Sequence, residues 1–203
     1  MNPTIESALI SATVGVLVLV IGQVLVPLGR EWFAMRRDAK YLAIRVVCVL
    51  EKYVEDCAST ATDSGEADEV GCLAPRVKAP PSPVYPTDVN WKSIKHSLMY
   101  KILALPAAAD RAASYVSSVE ENSYPPDYSE WFEARTHQYS ILGLDANALA
   151  VKLRKQYKIP EPKNLAWDPV QHMRDELDVI GKRQTQQSIE WQKMMESAPP
   201  VPP

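Results

Sequence analysis

Residues Ser7 to Gly29, SALISATVGVLVLVIGQVLVPLG, form one uncharged apolar run, and no other feature constrains the chain as much. As a helix rising about 1.5 Å per residue the run reaches about 34 Å, enough to cross a hydrocarbon core of about 30 Å. A spanning helix satisfies its own backbone hydrogen bonds, so Val and Leu side chains face lipid with no amide left unpaired. A secretory signal peptide wants a basic leading segment, a shorter apolar centre and a small-residue cleavage site. Met1 to Glu6 carries no Lys or Arg, and the run ends in Gly29-Arg30-Glu31-Trp32. A buried core helix rarely keeps more than about 14 uncharged residues in succession. The expectation is a retained transmembrane helix over residues 7–29, preceded by a short extracytoplasmic tail, 1–6.

The flanks set its orientation. Arg30, Arg36, Arg37, Lys40 and Arg45 follow the run, against Glu31 and Asp38, whereas the tail has only its amine and Glu6. The side richer in Lys and Arg faces the cytoplasm. A single-pass protein of the bacterial inner (plasma) membrane is expected, with its N-terminus outside and its C-terminal domain cytoplasmic. Trp32 and Phe33 stand where aromatic anchors meet headgroups, so Arg30, Trp32, Phe33, Arg36, Arg37 and Lys40 form the expected membrane interface. The basic residues either fix topology alone or also draw anionic lipids, at about 1 kcal/mol per charge near the surface.

About 175 residues follow, enough for one modest domain with its own core. The formal net charge of −3 argues against a nucleic-acid partner held by counterion release. Cys48, Cys57 and Cys72 are read as thiols in a reducing compartment, Cys48 as a packed one; Cys57 and Cys72 become a candidate pair only if the topology is reversed.

Helical periodicity dominates the rest. From Glu31 to Ala58 there is neither Gly nor Pro, and Leu42, Val46, Val49, Leu50, Tyr53 and Cys57 recur at helical spacing. This predicts a juxtamembrane amphipathic helix over 30–58. An acidic, then Pro-rich loop is expected over 59–86, solvated around Asp63, Glu66, Asp68 and Glu69 and extended around Pro80 and Pro83. The helical domain spans 87–197. Thr87 or Asp88 caps a helix carrying Trp91, Ile94, Leu98, Ile102 and Leu105. Pro106 ends that helix or opens the next, which runs from about Ala107 to Glu121. Ser129 caps a further helix that stops at Gly143, and Asp145 caps a short one to about Tyr157. Asp168 and Pro169 start the last helix, whose stripe of Val170, Met173, Leu177 and Ile180 thins after Gly181. Residues 198–203 read as a disordered tail. With no useful strand-like alternation, the fold class is all-α.

The chain offers no recognisable catalytic spacing. His96, His137 and His172 lack a second ligand three or four residues away, and no H-E-x-x-H or C-x-x-C occurs. Seven glycines build neither phosphate-cradling loop nor nucleophile elbow. No metal, cofactor or reaction is expected. Lys152, Arg154, Lys155 and Lys158 form the basic cluster of the domain, read either as a wet helix face or as a phosphate or lipid contact. In the anchor, Ala8, Gly15, Gly22 and Gly29 recur every seventh residue, with Ser11 and Gln23 beside them. Small residues permit close backbone approach in lipid, so this seam is the candidate for transmembrane self-association into a homo-oligomer.

These features together suggest a non-enzymatic interaction or scaffolding component tethered at the cytoplasmic membrane face, with the lipid bilayer and a cytoplasmic or membrane protein as partners. Trp131, Phe132, Trp167 and Trp191 are its candidate aromatic anchors. The competing reading is a lipid-headgroup or small-ligand-binding helical domain at the membrane surface.

Overall fold

A computed structural model describes residue 23 and residues 26–67, 72–124, 128–161 and 167–197. Among them are four α-helices: α1 (Val26–Ala61), α2 (His96–Asn122), α3 (Ser129–Tyr157) and α4 (Pro169–Ser197). The all-α expectation holds, relieved only by a two-residue antiparallel ladder of β1 (Glu66–Ala67) and β2 (Leu73–Ala74) and a 3-10 turn at Trp91–Ser93. No helix among the described residues is long and apolar enough to cross a membrane. The expected span lies outside them apart from Gln23 and residues 26–29, as do Asp68, Glu69 and the tail 198–203.

α3 is the centre of the bundle. It packs chiefly against α1 and also against α2 and α4, while α4 touches α1. Trp131, Tyr139, Leu142, Ala146, Leu149, Ala150 and Leu153 recur at three- and four-residue spacing and are buried along one side of the helix. α1 contributes one long face, Leu42, Val46, Leu50, Tyr53 and Cys57, closed by Ala43, Ala58 and Ala61. Its first buried residue is Ala39, so residues 30–37 stand clear of the bundle.

Several sequence expectations are corrected by tertiary contacts. Gly143 does not stop a helix: α3 runs through it, because a Cβ there would lie 2.4 Å from Met173 Sδ and 3.0 Å from Cys57 Cβ. The glycine lets α1, α3 and α4 meet, and that contact outweighs its poor helix propensity of about 1 kcal/mol. Pro106 neither ends nor begins a helix but sits inside α2, flanked by the buried Ile102, Leu105 and Ala109. Neither Thr87 nor Asp88 caps a helix. Asp88 is drawn instead to Arg45 of α1 at 2.7 Å, and Asn90 caps the 3-10 turn by accepting from the Lys92 amide at 3.2 Å. At Ser129 the helix starts without a side-chain cap. Asp168 does cap α4, accepting from the Val170 and Gln171 amides at 3.0 and 3.1 Å, with Pro169 in first position.

In the loop over 59–86 Glu66 is exposed as expected, but Asp63 is not solvated. Asp63 is buried and accepts from the amides of Gly65 at 3.0 Å and Val77 at 2.9 Å and from Arg135 at 3.1 Å, with Arg76 at 3.5 Å. Gly65 takes a positive φ of 75° and packs so closely on Phe132 that a Cβ would come within 2.6 Å of its ring. The proline-rich segment then crosses the bundle as a strap: Pro83 is buried, Ser82 donates to Asp110 of α2, and Tyr85 meets Trp91 edge-on at 5.9 Å. Cys48, expected to be packed, is exposed, while Cys57 is buried.

Candidate functional site

The exposed start of α1 forms one wall of a groove of about 640 Å3. Trp32, Met35, Arg36 and Lys40 line it from α1, with Ala39 at its floor. Ser93 and Lys95, in the turn leading into α2, make the second wall. Gln156, Tyr157 and Lys158, at the end of α3, make the third. Three segments far apart in sequence thus bring four cations together, and among the described residues no carboxylate lines the groove.

Local geometry fixes each side chain. Arg36 lies one turn after Trp32 and leans back along the helix, its guanidinium carbon 4.3 Å from the indole centroid. Helical side chains point toward the N-terminus, which makes this cation–π contact the expected one. Trp32 also meets Phe33 edge-on at 5.0 Å. Lys158 closes α3 in the left-handed conformation, φ 52° and ψ 49°. The Ile159 amide then returns to the Arg154 carbonyl at 3.0 Å, as in a Schellman-type end. A residue with a Cβ carries a conformational cost in that region, usually avoided by glycine. Here the turn carries the ammonium group of Lys158 to the groove, at a helix end whose carbonyls favour a cation.

The structure divides the expected basic cluster of α3 among three places. Only Lys158 reaches the groove. Arg154 is committed to Glu51 of α1, its Nε 2.7 Å from the carboxylate, and is half-buried. Lys155 stands beside that pair, and Lys152 lines a different groove, between α2 and α3, together with Lys101, Arg111 and Asp145. Of the expected interface residues, Trp32, Arg36 and Lys40 line the groove, while Arg30, Phe33 and Arg37 are exposed on the same free stretch of α1. Met35, Lys95 and Tyr157 carried no sequence signal as site residues. They belong to the site only because α1, the turn before α2 and the end of α3 converge. Of the seam residues, Ala8, Ser11, Gly15 and Gly22 lie outside the described residues. Gln23 is exposed, and Gly29 has open space where a Cβ would stand.

The opposite end of the domain has a different character. Ile180 is the last buried residue of α4, and every residue from Gly181 to Met195 is exposed. The first part of this stretch is tied to α3 by Arg183, which reaches Glu133 at 2.6 Å. Beyond it, Ile189, Trp191, Met194 and Met195 present large apolar side chains to solvent, Trp191 at 65% exposure. The other candidate aromatic anchors differ: Trp131 is buried, Phe132 packs against the core, and Trp167 lies 5.5 Å from the His172 ring. His96, His137 and His172 sit on α2, α3 and α4, and among the described residues no group of three His, Cys, Asp or Glu is placed to hold a metal.

The fold and groove define a small all-α domain with a cationic end and a projecting helix. No significant similarity was found to a known protein family, to a curated protein or to a solved structure.

Proposed function

We propose that this chain is a single-pass protein of the bacterial inner membrane that presents a helical interaction module on the cytoplasmic side. The observation that carries the reading is the far half of α4. The helix face that is buried at Met173 and Ile180 continues at the same spacing past Gln184 and Gln187 to Trp191, which is 65% exposed. An isolated helix gains little from its own hydrogen bonds, and an apolar face is the usual reason to extend one. Large aromatic and methionine side chains clustered on such a face are the composition favoured at protein interfaces. The module works by docking a partner, and no reaction is assigned to it.

A photocrosslinking residue placed at Trp191 or Met195 of the full chain in cells tests this. A discrete adduct from both positions, lost with Met194→Glu on the Trp191 face, is expected. No adduct from either position overturns the reading.

The groove favours a second reading, a domain that engages lipid headgroups. Four cations without a lining carboxylate suit an anion, and the aromatic and methionine side chains beside them suit the apolar margin of a headgroup layer.

A further inference from the structure

We propose that the groove between α1, the turn before α2 and the end of α3 docks the phosphate of an anionic phospholipid headgroup, which orients the domain on the membrane surface. The inference rests on the reading of residues 7–29 as a membrane anchor. It commits to a membrane lipid as the source of the phosphate.

The argument begins with height above the bilayer. Trp32 lies three residues past Gly29, about 5 Å along a helix axis, within a headgroup layer about 5–8 Å deep. Arg36 would stand about 10 Å along that axis, but its guanidinium leans back to within 4.3 Å of the Trp32 ring centroid. The charge of Arg36 is thereby lowered to the level of the indole, where phosphates lie. Lys40 is one further turn up the same helix face and leans the same way.

A topology signal alone would need only these α1 charges. The structure adds Lys95 and Lys158, which come from other parts of the fold and face the same space. Nothing in an orientation rule calls for them, since that rule counts charges on the chain next to the span. Gln156 places an amide on the groove wall that gives one N–H to the Tyr157 hydroxyl at 3.1 Å and has a second for a phosphate oxygen, while the Ser93 hydroxyl donates to the Asn90 carbonyl at 2.6 Å. The exposed Trp32 and Phe33 supply amphipathic aromatic rings at the headgroup level beside these cations. A headgroup held between α1 and the Lys95 and Lys158 walls would fix the tilt of the bundle, leaving the free end of α4 directed away from the lipid.

The test uses the full chain in nanodiscs of mixed phosphatidylglycerol and phosphatidylcholine, released for native mass spectrometry. The wild type should retain phosphatidylglycerol in preference to phosphatidylcholine. In Lys95→Gln/Lys158→Gln that preference should fall about 30-fold, the effect of two surface charges. Lys152→Gln/Lys182→Gln, which removes two cations outside the groove, should leave it unchanged. An absent preference, or one unaltered in the groove variant, overturns the proposal. So does complete suppression of the lipid adduct by millimolar inorganic phosphate, which would make a free anion the ligand. Alkaline carbonate washing of membranes separates the two failures. A chain that washes off loses its anchor reading, whereas one that stays but shows no lipid preference loses only the groove.

Discussion

Arg135 Nη1 lies 3.1 Å from Asp63 Oδ2, and both side chains are withdrawn from solvent. The same guanidinium donates to the Val77 carbonyl, while the Val77 amide donates back to Asp63 at 2.9 Å. The start and the middle of the loop are thereby tied to the second turn of α3. Burial alone would raise the Asp63 pKa. The Val77 and Gly65 amides and the Arg135 charge outweigh it and hold the carboxyl below its ordinary value.

Breaking this pair should be costly. Arg135→Met leaves the buried carboxylate with Arg76, at 3.5 Å and largely exposed, as its remaining counter-charge and is expected to destabilise the domain by about 2–3 kcal/mol, measured by chemical denaturation. The pH dependence follows from the lowered Asp63 pKa. Its stabilisation is complete above the unfolded value of about 3.9 and is lost as pH falls through the lower folded value. Asp63→Asn should therefore flatten the acid limb of the stability curve, and an unchanged limb would refute that role.

Gly143 sets how closely three helices approach. Gly143→Val should cost about 1–3 kcal/mol through overpacking against Met173 and Cys57. Met173→Ala in the same chain should recover part of that loss, because the sulfur is the nearest obstacle at 2.4 Å. Independent additive losses in the double variant would show that the contact is not the cause.

Pro106 is carried inside α2 against its own chemistry, since its ring crowds the preceding turn and it lacks an amide donor. Pro106→Ala should raise the thermal midpoint, by the equivalent of about 1–3 kcal/mol. A lower midpoint would mean that the ring itself makes a packing contact worth more than the missing bond.

The cysteines report both compartment and packing. In intact cells an impermeant maleimide should leave the exposed Cys48 unlabelled, and permeabilisation should expose it to rapid reaction. Cys57 should stay unreactive until the domain unfolds, because burial pushes its thiol pKa up to about 12 and shields it from reagent. Labelling of Cys48 in intact cells would reverse the topology.

The all-α class, the long face of α1, the Asp168–Pro169 start of α4 and the thinning of that helix after Gly181 were legible along the chain. Each is a local matter of periodicity or capping, in which a residue's neighbours are within four positions of it. The roles of Gly143, Pro106 and Asp63 were not legible for the same reason. Locally a glycine ends a helix, a proline breaks one and an acidic loop is wet. Here Met173, the buried face of α2 and Arg135 reverse those preferences from a distance. The groove belongs to the same category. Its α1 residues could be picked out as charges beside an apolar run, and Lys158 as part of a basic cluster. That Lys158 and Lys95 share one cavity with Arg36, while Arg154 is spent on Glu51, depends on how three segments converge. Sequence determined which stretches are helical and where charge is dense, because those follow from short-range geometry. Tertiary structure decided which charges act together, because packing alone sets distances between residues remote in the chain.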